Sequence, residues 1–161
     1  MLSKTNKRQS GFTIIEVLIV LAIAGLIMLI VFLAVPALQR NARNSQRSRD
    51  VSSLLGGMSE FVNNNNGSLP TGGTFSAGTT ATIGTSGTNT VPVSLSYYDG
   101  SKISIVDGSA AAVTNPNSNE KVIIVTGATC SSTVGDSAVG PSRGYVALYT
   151  LENNSKQCKS S

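Results

Sequence analysis

Histidine and tryptophan are both absent from this chain. Without histidine, the commonest general base and metal ligand is missing, and no side chain has an ordinary pKa near neutrality. The eight carboxylates are scattered, so the sequence offers no Ser/His/Asp set, no Cys/His pair and no metal-ligand cluster. There are only two cysteines, Cys130 and Cys158, too few and too far apart for a zinc site. No G-x-x-x-x-G-K-[ST] phosphate loop is present. No enzymatic activity, cofactor or metal is therefore expected. Charged residues make up only 12% of the 161 residues, because a long apolar run and a Ser/Thr/Gly/Asn-rich C-terminal part dilute them.

The apolar run is Val17 to Val35, nineteen residues without a charged or hydrogen-bonding side chain. At about 1.5 Å per helical residue it is just long enough to cross a bilayer. A lone carboxylate, Glu16, stands at its mouth, and a short basic segment with Lys4, Lys7 and Arg8 precedes it. A secretory signal peptide is the rival reading. Its apolar region is usually about 7–15 residues, followed by small residues at a cleavage site. This run is longer than that.

Gly11-Phe12-Thr13-Ile14-Ile15-Glu16, with the apolar run behind it, resembles the N-terminus of bacterial type IV pilins, type II secretion pseudopilins and competence pilins. The similarity is close from Gly11 to Ile27 and extends to the rest of the chain only in layout. The resemblance implies that a prepilin peptidase cuts after Gly11 and methylates the new terminal amine of Phe12. Residues 1–11 are then a leader, and Glu16 is the acid that sets the register between assembled subunits. Removing the three leader cations would take the net charge from +4 to +1, so the basic balance says little about nucleic acid. The family often has a proline earlier in this helix and another after it; here the only helix proline is Pro36.

One long helix is expected from Phe12 to about Val62. Residues 12–36 form its transmembrane or filament-core half. Pro36, which lacks an N–H and clashes with the preceding turn, is the expected site of a bend or local opening. Residues 37–62 form an amphipathic half, whose Val51, Leu54, Leu55, Met58, Phe61 and Val62 follow i, i+3, i+4, i+7 spacing. Gly56-Gly57 marks either a close approach to a sheet or local looseness. Residues 63–161 are expected to form a head. Thr71 to Thr90, almost wholly small and polar, reads as a partly disordered surface loop. Val91 to Tyr97 alternates, Asp99-Gly100 suits a hairpin turn, and Ile103 and Ile105 read as the return strand. Val122–Val125 reads as a central strand and Tyr145–Leu151 as another, with Asn153-Asn154 turning the chain into a tail that holds Cys158. The fold class expected is α+β, a long helix packed on a small antiparallel sheet.

Glu16 is costly at the start of a span, where scales put a mid-membrane acid at about 2.5–3.5 kcal/mol and less near the interface. In a bundle of helices its carboxylate can neutralise the Phe12 amine of a neighbouring subunit. The bland alternative is a carboxylate that snorkels to water. Ala22, Ala24, Gly25 and Ala34 permit close helix approach, a weak signal shared by simple anchors. Arg40, Arg43 and Arg47 share a helix face that can meet anionic lipid, acids of a neighbour, or only solvent. These arginines and Arg49 leave the positive-inside count ambiguous, so the resemblance orients the chain with its N-terminus in the cytoplasm.

That orientation places Cys130 and Cys158 outside the cytoplasm, where a disulfide between them can persist and pin the last segment to the sheet. Beyond residue 62 the cations Lys102, Lys121, Arg143, Lys156 and Lys159 are spread among five acids, so no basic patch for nucleic acid is expected. Asp107, Glu120 and Asp136 are too scattered to propose the calcium site that major secretion pseudopilins tend to use. Asn66-Gly67-Ser68 and Asn153-Asn154-Ser155 fit a glycosylation triplet that is mostly chance in a bacterial chain.

The resemblance implies a structural subunit that waits in the inner or cytoplasmic membrane and assembles with copies of itself and minor pilins into an extracellular helical fibre. The ATPase motor would be another protein. Such filaments serve adhesion, twitching motility or DNA uptake. The alternatives are a pseudopilin of a secretion or DNA-uptake machine, and a single-span anchored binding protein that never polymerises. The mature chain is expected to begin at Phe12 with a methylated amine. Intact-mass and N-terminal mass spectrometry of the protein from its own cells checks this, and any other mature terminus contradicts it.

Overall fold

The computed structural model describes residues 11–75, 77–85, 88–108, 113–114, 116–131, 137–139 and 144–161. Lys4, Lys7 and Arg8 of the expected leader, with Asp136 and Arg143, lie outside the described residues. One helix, α1, runs over Ile14–Asn64, and the chain divides into two compact units between Gln39 and Arg40.

In the first unit α1 is apolar on every side, and every large apolar side chain from Val17 to Leu33 is exposed. The helical assignment passes through Pro36 without a break.

The second unit begins with the rest of α1. Val51, Leu54, Leu55, Met58 and Phe61 are buried and form one core with both larger sheets, while Val62 packs at its margin. Burying each of these side chains is worth about 1.5–3 kcal/mol. The helix ends where Asn66 and Gly67 take positive φ angles of 55° and 82°. Gly67 N–H donates to Val62 O at 2.8 Å, and the Asn89 side chain donates to Asn64 O at 2.9 Å. These bonds occupy carbonyls that the helix leaves open at its end.

Among the described residues, three sheets complete the unit. The first is antiparallel, in the order β1 (Gly73–Thr74), β2 (Thr80–Ile83), β3 (Val91–Ser94). The second is mixed: β4 (Ile103–Asp107) pairs parallel with β5 (Val122–Thr126), which pairs antiparallel with β8 (Tyr145–Thr150), and that with β9 (Lys156–Ser160). The third is the antiparallel pair β6 (Ala128–Cys130) and β7 (Ser137–Val139). The architecture is α+β, with one parallel strand pair where only antiparallel pairing was expected. That pairing needs a crossover of about a dozen residues, and the connection between Asp107 and Val122 is long enough to supply it.

Alternation puts Val122, Ile124, Tyr145, Ala147 and Tyr149 in the core with α1. Val125, Val146 and Leu148 belong to a second core with Ala128, against which Cys130 and Cys158 pack. Every residue of β8 is buried, as in a strand covered on both faces. Cys130 on β6 and Cys158 on β9 are joined by a disulfide with Cα atoms 5.8 Å apart. In the chain-entropy model a loop of this size contributes roughly 3–4 kcal/mol.

Two further sequence expectations are corrected. Thr71 to Thr90 contains strands β1 and β2, and Ala81 and Ile83 are fully buried. Few bulky residues suffice there because Gly57 of α1 brings the helix backbone close. A Cβ on Gly57 would collide with Val93 Cγ2 and come within 3.0 Å of Ile83 Cδ1. Asp99-Gly100 is not a hairpin turn, and β3 and β4 belong to different sheets. Asp99 caps a 3-10 turn over Gly100–Lys102, its carboxylate accepting from Ser101 N–H at 2.8 Å and Gly78 N–H at 3.2 Å. These bonds hold the Asp99 carboxyl below its usual pKa, with Ser101 as the largest cause.

The strand ends before that turn because a helix carboxylate intercepts its donors. Asp50, buried on α1, accepts from the N–H groups of Ser96, Tyr97 and Tyr98 at 2.7–3.0 Å. Those N–H groups can no longer serve a β ladder. One turn back, Arg47 is 1% exposed and stacks 4.4 Å from the Tyr97 ring centroid while donating to the Tyr97 hydroxyl, to Asn44 Oδ1 at 3.2 Å and to Glu152 at 3.3 Å. Another turn back, Arg43 grips Glu152 bidentately, and Asn44 Oδ1 accepts from Glu152 N–H at 3.1 Å. Arg43 holds the Glu152 carboxyl below its usual range, and Glu152 raises Arg43 in turn. A polar row at positions 43, 44, 47 and 50 thus ties α1 to two loops. Arg43 and Arg47, candidates for lipid or neighbour contact on sequence grounds, are engaged inside their own chain.

Two outcomes follow for thermal unfolding of the detergent-solubilised protein. Gly57→Ala should destabilise, because an overpacking cost of about 1–3 kcal/mol exceeds the roughly 1 kcal/mol gained in helix propensity. Gly56→Ala, with nothing within 4 Å of the added Cβ, should stabilise by up to about 1 kcal/mol; equal melting shifts for the two would refute this packing. Asp50→Ala should cost about 3 kcal/mol, since it strands buried N–H donors. A loss below about 0.5 kcal/mol, the usual range for surface changes, would show that Asp50 holds nothing.

Candidate processing and assembly site

Gly11, Phe12 and Thr13 precede the helix in non-helical backbone. Thr13 is the helix N-cap: its carbonyl accepts from Val17 N–H at 3.4 Å, and its hydroxyl oxygen accepts from Glu16 N–H at 3.3 Å. Glu16 follows three residues later, in the first turn. There a negative charge faces the positive end of the helix dipole and contributes about 0.3–1 kcal/mol. Thr-x-x-Glu is capping-box spacing, and Phe12 and Val17 flank it at the positions of a hydrophobic staple. Phe12 is 85% exposed and lines a shallow crevice of about 190 Å³ with Glu16, Val17, Val20 and Leu21.

The geometry makes a specific chemistry available. Gly11 has open space around its Cα, and Phe12 is exposed beside it, so the bond between them is accessible. Breaking that bond would create an ammonium at Phe12, four residues and about 6 Å of helix rise from the Glu16 carboxylate. Among the described residues, no Lys or Arg side chain forms an ion pair with Glu16. An ammonium at the positive end of a helix dipole is disfavoured, so in apolar surroundings it would gain from a carboxylate such as Glu16.

Gly11, Phe12 and Glu16 are brought together at this one end of α1. Pro36 lies inside the helix, and Cys130 and Cys158 lie on strands of the second unit. Thr13 is not among the site residues that the sequence predicts. Its signal, a Thr three residues before a Glu at the head of an apolar run, was legible as a capping box. Glu152 and Asp50 left no such mark, because their partners lie far along the chain.

Among the described residues, no three of His, Cys, Asp or Glu come together in a way that could hold a metal ion. Tyr98, whose buried hydroxyl has no partner among the described residues, is pushed above its usual pKa by burial. Its ring belongs to the core. Among the described residues, α1 is the helix long and apolar enough to cross a membrane.

Comparison with known proteins agrees with the N-terminal geometry. The family model described as the prokaryotic N-terminal methylation motif matches residues 6–32. No curated protein and no solved structure matches the chain. The motif spans the Gly11-Phe12 junction, the Thr13 cap, Glu16 and most of the exposed apolar helix, and it supports a type IV prepilin-like N-terminus.

Proposed function

We propose that the chain is the structural subunit of a type IV pilus. It is made as a precursor with its first eleven residues as leader, cut after Gly11 by a prepilin peptidase, methylated at Phe12, and stored in the membrane as a single-pass protein with its N-terminus in the cytoplasm. Assembly with further copies and minor pilins, driven by an ATPase in another protein, carries it into an extracellular filament. A bend at Pro36, which cannot donate to the carbonyl one turn earlier, belongs to the same proposal.

The observation that carries it is the helix surface of the first unit, apolar on all sides and exposed, with a single carboxylate in its first turn. Lipid tails can cover that surface in the membrane, and the same surface of other copies can cover it in a fibre. Head-to-tail contacts that do not close on themselves generate filaments. The carboxylate gives each added subunit a charge to match against its neighbour's Phe12 amine. The Cys130–Cys158 disulfide supports a head that works outside the cytoplasm. A pseudopilin would share the N-terminus, and long fibres in a sheared surface fraction distinguish the pilin.

Glu16→Ala should leave the subunit processed and membrane-inserted but poorly assembled. The substitution removes the cost of holding an acid near lipid. It also strands the neighbour's amine in the filament core, at about 3–5 kcal/mol per subunit. Glu16→Gln, which keeps the size and a hydrogen-bonding group, should fall between. Fractionation of cells into membrane pool and sheared fibres measures this; normal fibres from Glu16→Ala would leave Glu16 a carboxylate that merely reaches water.

A further inference from the structure

We infer that Thr13 is a positioning residue for processing: by ending the helix at Ile14, its hydroxyl keeps the Gly11–Phe12 bond in open backbone where an endopeptidase can take hold of it. This rests on the prepilin reading.

The argument turns on one N–H group. In a helix the N–H of Glu16 would donate to the carbonyl of Phe12, four residues back. Here it donates to Thr13 Oγ1 at 3.3 Å instead, and Gly11, Phe12 and Thr13 are non-helical. One further turn of helix would also direct the N–H of Ile15 to the carbonyl of Gly11. That carbonyl belongs to the bond to be cut. Hydrolysis adds water across it, the hydroxyl to the Gly11 carbonyl carbon and a proton to the departing Phe12 nitrogen, giving a carboxylate and an amine. A Gly11–Phe12 bond wound into the helix ladder would hold this carbonyl along the helix axis, where an endopeptidase cannot draw the strand into its own site and aim its oxyanion donors at the oxygen, so a helical junction is a poor substrate.

Little else in the chain opposes that extra turn. Ile14, Ile15 and the run beyond them are apolar, and an unbonded N–H beside lipid is costly, so the helix gains by reaching back for any carbonyl. A side-chain cap offers the same N–H an acceptor without enlisting the backbone of the cut site. Around Gly11 a Cβ would meet nothing within 4 Å, and Phe12 is exposed, so the bond that Thr13 leaves out of the helix is also sterically open.

The experiment uses full-length precursor in bilayers with a prepilin peptidase, measuring kcat/KM for cleavage after Gly11. Thr13→Ser and Thr13→Asn retain a cap and should stay within about threefold of the wild type. Thr13→Val keeps the shape without the acceptor and should fall about five- to tenfold, as loss of a typical cap implies. In the uncut protein, amide exchange at Ile15 should slow in Thr13→Val and stay fast in the wild type and in Thr13→Asn. Equal cleavage of Thr13→Val and wild type overturns the inference. So does Thr13→Asn cut as slowly as Thr13→Val, which means the peptidase reads threonine itself. Wild-type precursor left uncut at Gly11 overturns the prepilin reading, and the inference with it.

Discussion

The demand that dominates this chain is that the first half of α1 exposes an unbroken apolar surface. From Val17 to Leu33 every large apolar side chain is exposed. At about 25 cal/mol per Å² of apolar area, such a surface cannot stay in water. It needs lipid or other helices like itself. The lone Glu16 adds the opposite demand, a charge that is uncomfortable in either setting unless something neutralises it. Under the proposed function, assembly would pair this charge with a neighbour's Phe12 amine and so be favoured over storage.

The same helix behaves differently after Arg40, where its buried stripe becomes one side of a head core. Several interactions join helix to head, and their weights differ. Arg43 with Glu152 is the more exposed pair, with side chains 42% and 14% exposed, and such pairs contribute about 0–1 kcal/mol. Asp50 is the stronger tie, since it satisfies three backbone N–H groups from a buried position that no water can replace. Arg47 is held between Tyr97 and Glu152, which both accept from its Nη2, while its buried Nε has no partner among the described residues. Behind the main sheet the disulfide closes the second core, and it fastens β9, an edge strand whose Lys156 and Lys159 discourage pairing with other chains.

Much of this was readable from the residues, and what was missed has a physical explanation. The helix was visible because its patterning is long and changes character once, from apolar all round to a single stripe. The stripe from Val51 to Phe61 is buried, and strands β5 and β8 lie where continuous apolar runs predicted them. Strand β2 was hidden because Thr80–Ile83 carries its burial on an alanine and one isoleucine, a pattern too thin for hydrophobicity to reveal. It works only because Gly57, far away in sequence, clears the space. The false hairpin at Asp99-Gly100 shows the complementary failure. Local turn chemistry favoured a hairpin, but the Asp50 carboxylate on a distant helix took the strand's donors. At the N-terminal site, Gly11, Phe12 and Glu16 are legible as a motif, whereas the part played by Thr13 needed the backbone to show which oxygen Glu16 N–H had chosen.

The central claim is that copies of the apolar half of α1 cover one another. Electron cryomicroscopy of the sheared surface fraction, with helical reconstruction, tests it most directly. The account predicts fibres built from this chain, with residues 17–35 of many copies bundled along the axis, away from water, and the sheets on the outside. A chain found only as a lipid-covered monomer in the membrane fraction, or a fibre with residues 17–35 facing solvent, would contradict it.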